Sequence, residues 1–236
     1  VTLGIALKLQ KQSIIKVVGI PKSIDNALSG TDYAFGFDTA VQIAAEQIDR
    51  LHTTAESHHR IMVIEVMGQY TGWIAVEAGL AGGADVILIP EMKIDMAKVC
   101  EAIRNRHRRG KSFSIVVIAE GTQIDSLGVV PDGSEKRRFG SVGERLAKMI
   151  EDATGYETRV SVLGYIQRGG SPTAFDRILG TRFGVKAVEL VREGKFGHMV
   201  SYQNNKIRSV DMEGPVTIRK HVDTDLFDIA KVFCAE

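Results

Sequence analysis

Lys22, Ser23, Asp25 and Asn26 stand together in Gly19-Ile20-Pro21-Lys22-Ser23-Ile24-Asp25-Asn26, directly after the apolar run Val17-Val18-Gly19-Ile20. A carboxylate can take a proton from a hydroxyl, and an ammonium beside a serine hydroxyl can hold an anionic group. Loops beyond the carboxyl ends of strands are where open α/β sheets bind ligands. The same residue types favour turns, so the segment also reads as a well-capped turn. A second group is Gly164-Tyr165-Ile166-Gln167-Arg168-Gly169-Gly170-Ser171-Pro172. There a strand is expected to end at an arginine and two glycines, and a helix to start with Ser171 as N-cap and Pro172 at its first position. Freed backbone N–H groups, a helix N-terminus and a guanidinium make a cradle for an anion, suited to bidentate phosphate contact. The plain alternative is a strand-to-helix corner whose glycines serve backbone geometry.

Other expected strand ends add polar groups: Met67-Gly68-Gln69, Glu120-Gly121, and Arg159 at the start of a strand. Taken singly, each has a structural reading first. His58 and His59 are adjacent, with no acidic partner at ligand spacing, so they do not read as a metal site and attention passes to Arg60.

The elements that must hold these groups follow from hydrophobic spacing. Short strand-like runs alternate with helical patterns: 17–20, then 38–55, 61–67, 72–81, 86–90, 95–109, 114–119, 141–153, 158–165 and 172–193. That alternation predicts an α/β fold with a parallel sheet. Val41, Ala44, Ala45, Ile48 and Leu51 fall on one helix face. The runs 61–67 and 114–119 are nearly unbroken apolar sequences, which predicts central strands covered on both faces. Asp95 reads as an N-cap, while Arg106, His107, Arg108, Arg109 and Gly110 supply the cations and the glycine that a helix C-terminus favours. The polar, turn-rich stretch from Asp125 to Gly140 reads as a surface loop.

Composition bounds the function classes. The 236 residues are 44% hydrophobic and 25% charged, with 24 glycines and 5 prolines, which excludes a disordered or collagen-like chain. Thirty basic against 29 acidic residues give a formal charge of +1, so no global field draws the protein to nucleic acid or to an anionic membrane. The apolar runs stop far short of the roughly 20 residues that cross a bilayer, so no membrane span is expected. Val1 opens the sequence without a signal-type segment, and Cys100 and Cys234 make no disulfide framework. A trimmed start and a reducing cytoplasm are the expectation.

Longer motifs carry a resemblance. Val18-Gly19-Ile20-Pro21-Lys22-Ser23-Ile24-Asp25-Asn26, Gly30-Thr31-Asp32 with Gly36-Phe37-Asp38-Thr39-Ala40, Ser57-His58-His59-Arg60, Glu65-Val66-Met67-Gly68, Ala81-Gly82-Gly83-Ala84 with Ile89-Pro90-Glu91, and Ala119-Glu120-Gly121 occur in order. With Leu163 through Arg177 they closely resemble the 6-phosphofructokinase family over essentially the whole chain. The resemblance implies a glycolytic phosphotransferase that moves a phosphoryl group from ATP, or from pyrophosphate in some members, to the 1-hydroxyl of fructose 6-phosphate with magnesium. By the same resemblance Asp25 is the general base and Ser23 lies near the transferring phosphoryl. Lys22 matches a lysine common in pyrophosphate users and in a subgroup that mixes both donors. Glu120, Met67 and Gly68 match sugar contacts, with Gln69 beside them. Arg60, Arg159 and Arg168 match guanidiniums around the 6-phosphate, the first two reaching in from a neighbouring subunit of a homotetramer.

The implied architecture is a parallel-sheet layered α/β sandwich of two domains with the active site between them. Residues 1–36 with 167–215 would be the remnant of the donor-side domain, and 37–166 with 216–236 the sugar-phosphate domain. The resemblance also implies that the donor site and its magnesium-carrying motif precede the first residue, so no metal ligand is expected within the chain. Three positions depart from the family pattern. Ala27 stands where a second Asp usually follows the Asn, Gln69 replaces the Arg after Met-Gly, and Tyr165 stands where many bacterial members have a His. Losing a preorganised charge at a reacting centre lowers rates on the order of a hundredfold or more. The alternative these changes imply is a catalytically weak or regulatory sugar-phosphate-binding homologue.

Overall fold

The computed structural model describes residues 2–13, 15–124 and 141–233. The loop expected from Asp125 to Gly140, and Cys234, lie outside the described residues. In chain order the elements are α1 (Thr2–Lys11), α2 (Phe37–His58), β1 (Ile61–Val66), α3 (Trp73–Ala81), β2 (Val86–Leu88), α4 (Met96–Arg108) and β3 (Ser114–Ala119). Then come α5 (Val142–Thr154), β4 (Thr158–Val162), a 3-10 turn (Gly164–Arg168), α6 (Ala174–Arg192), β5 (His198–Gln203), β6 (Lys206–Asp211), α7 (Glu213–Thr217) and α8 (Thr224–Phe233). They form two compact units, residues 1–40 with 171–220 and residues 41–170 with 221–236.

In the second of these units β1 to β4 make a parallel sheet in the order β2-β3-β1-β4. The strands β1 and β3 are central, as their apolar sequences predict, and every residue in both is buried. Alternate side chains serve opposite faces. Ile61, Val63, Val86, Leu88, Val116 and Ile118 meet Val99 and Ile103 of α4 and Leu146 and Ile150 of α5 in one core. The α4 signals are met: Asp95 accepts from the Ala97 and Lys98 N–H groups, and Arg106 at the basic end pairs with Asp85 at 2.8 Å. Burial pushes the Asp85 carboxyl up, against the pull of the Ile115 N–H that donates to it and of Arg106.

One charge is buried in the centre of this sheet. Glu65 is 7% exposed, and its Oε2 accepts from the Gly143 N–H at 2.7 Å. Gly143 is in the first turn of α5, so the carboxylate faces the positive end of that helix. Glu65→Leu would leave a buried N–H without an acceptor and is expected to lose about 2 kcal/mol. Glu65→Gln keeps an acceptor and should lose under about 1 kcal/mol; urea unfolding of the two variants checks the difference.

A second prediction concerns acid. His107 of α4 stacks on Tyr156 with ring centroids 3.9 Å apart, and its Nε2 is buried without a hydrogen-bond partner among the described residues. Burial, helped by the neighbouring Arg106, holds its pKa below the ordinary 6.5. The unfolded chain therefore binds this proton more readily than the folded one, so the stability is fully present above pH 6.5 and declines as the pH falls below it. Melting temperatures of the chain should drop through that window, and His107→Gln should flatten the drop.

The other unit is built around an antiparallel hairpin. Strands β5 and β6 pair from His198↔Asp211 to Gln203↔Lys206. Asn204 and Asn205 form the turn at φ +49° and +61°, the left-handed pair that a two-residue hairpin turn needs. Leu179, Phe183, Ala187 and Leu190 of α6 pack on Val200 and Tyr202 of this hairpin. The run 17–20, expected to be a strand, is reduced to a single parallel bridge, Gly19↔Met199.

Two sequence expectations are corrected in the segment from Thr158 to Arg192. The strand expected over 158–165 ends at Val162, and the chain turns out through Gly164 at φ +48°. Helix α6 begins at Ala174 with Thr173 as N-cap, so neither Ser171 nor Pro172 holds the place expected of it. The cause is a crossed arrangement of two helix N-termini. Buried Asp176 in the first turn of α6 accepts from Gly36 N and Thr39 N, both at 2.8 Å, at the start of α2. In return Thr39 Oγ1 accepts from Thr173 N at 3.1 Å. Each helix thus satisfies free N–H groups of the other, which fixes the entry of α6 at Thr173.

Candidate active site

The sheet of β1 to β4 has two ends, and the polar groups singled out between Arg60 and Arg168 divide between them. The connection leaving β1 leads towards β2 and the one leaving β3 leads towards β4, in opposite directions along the sheet. Such a reversal leaves a crevice beyond the carboxyl ends of the two neighbouring strands. Met67-Gly68-Gln69 follows β1 there, and Glu120-Gly121 follows β3. Met67 and Gly68 are buried, whereas Gln69 is exposed.

Backbone geometry admits only glycine at two of these positions. Gly68 has φ +144°, and a Cβ on it would stand 2.6 Å from the Thr71 carbonyl oxygen. A Cβ on Gly121 would stand 2.0 Å from the Gln69 carbonyl oxygen. The two strand-end loops therefore meet backbone to backbone, with Gly121 N donating to Gly68 O at 3.1 Å. The Gly68 N–H points at Glu120 Oε1, 3.5 Å away.

Beyond β4 the 3-10 turn brings Arg168 to the same place. Its Nε donates to Met67 Sδ at 3.4 Å, and its guanidinium lies over the Tyr165 ring, 5.7 Å from the centroid. Tyr165 is 83% exposed, so ring and guanidinium are open to a ligand. One end of the sheet thus collects Met67, Gly68, Glu120, Tyr165 and Arg168. A carboxylate that can accept hydrogen bonds from hydroxyls stands near a guanidinium that can clamp a phosphate.

Arg60 and Arg159 are not part of that group. Arg60 precedes β1 and Arg159 is the second residue of β4, both at the amino end of the sheet. The backbones of Arg60 and Met67 are separated by the length of β1, about 20 Å at the usual strand rise. The two arginines share an oxygen of one carboxylate: Arg60 Nη2 lies 3.0 Å from Glu157 Oε1, and Arg159 Nη2 bonds the same atom. The Arg60 hydrogen bond, with Arg159 beside it, holds the Glu157 carboxyl below its usual range. Arg60 Nε is buried and has no hydrogen-bond partner among the described residues.

Lys22, Ser23 and Asp25 belong to the unit of residues 1–40 and 171–220. Their segment is strapped to Phe35: Phe35 N donates to Pro21 O at 3.1 Å and Ser23 N to Phe35 O at 3.3 Å. Ser23 Oγ accepts from Asp25 N at 3.2 Å. The next residue, Asn26, is 1% exposed with φ +49°. Its Oδ1 accepts from Ala34 N at 3.0 Å and its Nδ2 donates to Asp32 O at 3.1 Å. Lys22 is exposed and Asp25 half-buried, held between these two anchors.

Sequence reading missed two residues that organise this geometry, Gln167 and Asp176, and grouped Asn26 with the anion-holding residues although its amide is buried in backbone hydrogen bonds. Asn26 and Gln167 stood inside the quoted motifs, yet nothing local distinguishes a buried amide from an exposed one. An asparagine tolerates the left-handed backbone, which was the available signal at position 26. Among the described residues no three His, Cys, Asp or Glu side chains gather to hold a metal ion.

Comparison with known proteins gives the family and the fold. The sequence model described as Phosphofructokinase matches residues 1–191. The pyrophosphate–fructose 6-phosphate 1-phosphotransferase of Streptomyces coelicolor is 50% identical over 244 residues, covering 98% of this chain and 69% of its own. ATP-dependent 6-phosphofructokinase 2 of Clostridium perfringens is 47% identical over 217 residues, 89% of this chain and 59% of its own. A crystal structure of the pyrophosphate-dependent phosphofructokinase from Nitrosospira multiformis shares the fold with a TM-score of 0.81 at 24% identity, over 94% of this chain and 59% of that one. The chain therefore spans between three-fifths and seven-tenths of these relatives. With its motifs, its parallel sheet and these matches in agreement, the chain belongs to the phosphofructokinase family.

Proposed function

We propose that the chain is the fructose 6-phosphate-binding and proton-abstracting part of a 6-phosphofructokinase, a phosphotransferase of glycolysis. One observation carries the reading: Glu120, Met67, Gly68 and Arg168 meet at the carboxyl end of the sheet. Relatives named for phosphoryl transfer to fructose 6-phosphate, with either donor, support it. Arg168 and the Tyr165 hydroxyl hold the 6-phosphate, while Glu120 and the Met67-Gly68 backbone hold sugar hydroxyls, with Gln69 at the rim. Asp25 takes the proton of the 1-hydroxyl, and Lys22 and Ser23 steady the oxygens of the moving phosphoryl group. In such a transfer positioning and electrostatics do most of the work.

Arg60 and Arg159, at the far end of β1, serve the 6-phosphate of a neighbouring copy, so the active form is a dimer or tetramer. ATP or pyrophosphate is the donor, and its magnesium is held outside the described residues. Residues 1–36 with 167–215 form the donor-side part, and 37–166 with 216–236 the sugar-phosphate part. Nothing in composition favours nucleic acid or membrane as partner, and no helix among the described residues is long and apolar enough to cross a bilayer. The reaction belongs in the cytoplasm, with the other steps of glycolysis.

Ala27 and Gln69 favour a second reading, a catalytically weak or regulatory sugar-phosphate binder. Two measurements on the full-length protein separate them: calorimetry with fructose 6-phosphate, and a coupled assay for fructose 1,6-bisphosphate with ATP and with pyrophosphate in the presence of magnesium. Product with either donor establishes the kinase. Binding without product establishes the regulatory reading, and no binding removes both.

A further inference from the structure

We propose that Gln167 is the positioning residue of the sugar-phosphate site, acting through Met67 and Arg168; the inference rests on the reading of that site given above. Gln167 lies between two exposed residues, Ile166 and Arg168, yet is itself only 1% exposed. A primary amide taken out of water must use its polar atoms, and both ends are used. Its Oε1 accepts from Met67 N at 3.2 Å, and its Nε2 donates to Gly164 O at 3.1 Å.

The place of the first bond explains its purpose. The backbone ladder between β1 and β4 closes with Leu163 N donating to Glu65 O at 3.0 Å. Residues two apart on a strand face the same neighbour, so the next N–H of β1 directed towards β4 is that of Met67. By then the chain after β4 has left the sheet through the 3-10 turn. The Gln167 side chain occupies the position of the missing strand and supplies one more rung.

The second bond ties the same amide to the start of the turn that carries Arg168. One side chain thus fixes the end of β1, where Met67 and Gly68 begin, and the turn from which the guanidinium extends. Arg168 Nε, which contacts Met67 Sδ at 3.4 Å, completes the triangle. Two ligand-binding segments about 100 residues apart in sequence are held in register by one amide. A displacement on the order of 1 Å at such a site costs up to about a hundredfold in function.

The test is Gln167→Met, which keeps length and removes both polar atoms. A core variant, Ile150→Val, serves as a control for stability alone. Calorimetry with fructose 6-phosphate should show the dissociation constant of Gln167→Met raised about tenfold, and that of Ile150→Val unchanged. In the coupled assay KM should rise by the same factor, with kcat within about twofold of the parent. Equal affinity of parent and Gln167→Met, or equal weakening in the Ile150→Val control, overturns the assignment. If the parent itself has no affinity for fructose 6-phosphate, the site reading falls and this inference falls with it.

Discussion

Asp25→Asn is expected to lower kcat about a thousandfold while leaving the affinity for fructose 6-phosphate within about twofold of the parent. Asparagine matches the carboxylate in shape and keeps hydrogen-bonding capacity, but it cannot take a proton. General-base assistance is worth roughly 10² to 10⁴ in rate, and a thousandfold corresponds to about 4 kcal/mol of barrier. The geometry makes the experiment clean. Asp25 is half-buried on a segment held on one side by the Pro21–Phe35 and Ser23–Phe35 backbone bonds and on the other by the buried Asn26 amide. The backbone should therefore hold its path when the side chain changes. Coupled-assay kinetics beside calorimetry check it; a variant that retains more than about a tenth of the parent rate would show that another group takes the proton.

The second large effect is expected at Arg168. Arg168→Ala removes a guanidinium that is exposed towards solvent, lies over Tyr165 and donates to the weak acceptor Met67 Sδ. The remaining N–H groups of a guanidinium form the planar fork that matches a phosphate. Charge-assisted hydrogen bonds contribute about 1.5 to 3 kcal/mol each, so affinity for fructose 6-phosphate should fall about a hundredfold. Arg168→Lys keeps the charge and loses the fork, and should recover about a tenth of the lost affinity. Because the site is exposed, parent binding should weaken as salt rises. Calorimetry at two salt concentrations checks all three expectations. Undiminished binding by Arg168→Ala would place the phosphate elsewhere.

How much of this was legible beforehand depended on the range of the physical cause. Central strands β1 and β3 declared themselves, because burial on both faces demands an unbroken apolar run. The ends of α4 were equally plain, since Asp95 bonds N–H groups only two and three residues away. The hairpin after α6 was missed although Asn204-Asn205 is a turn signal, because polar and apolar residues around it alternate weakly. The start of α6 was misplaced for a different reason. Ser171-Pro172 is a good local start, but Asp176 is drawn to the N–H groups of Gly36 and Thr39, which lie about 140 positions earlier in the chain.

The sequence by itself determined the class of fold, the caps of α4, and the set of side chains able to take a proton or clamp a phosphate, because each of these rests on residue type and on neighbours a few positions away. Only the tertiary structure decided the grouping: Arg168 with Glu120 and Met67 at one end of the sheet, Arg60 and Arg159 with Glu157 at the other, and Gln167 buried as a rung between strands. Strand order and direction assign each side chain to an end of the sheet, and they arise from long-range pairing that no local window of residues contains.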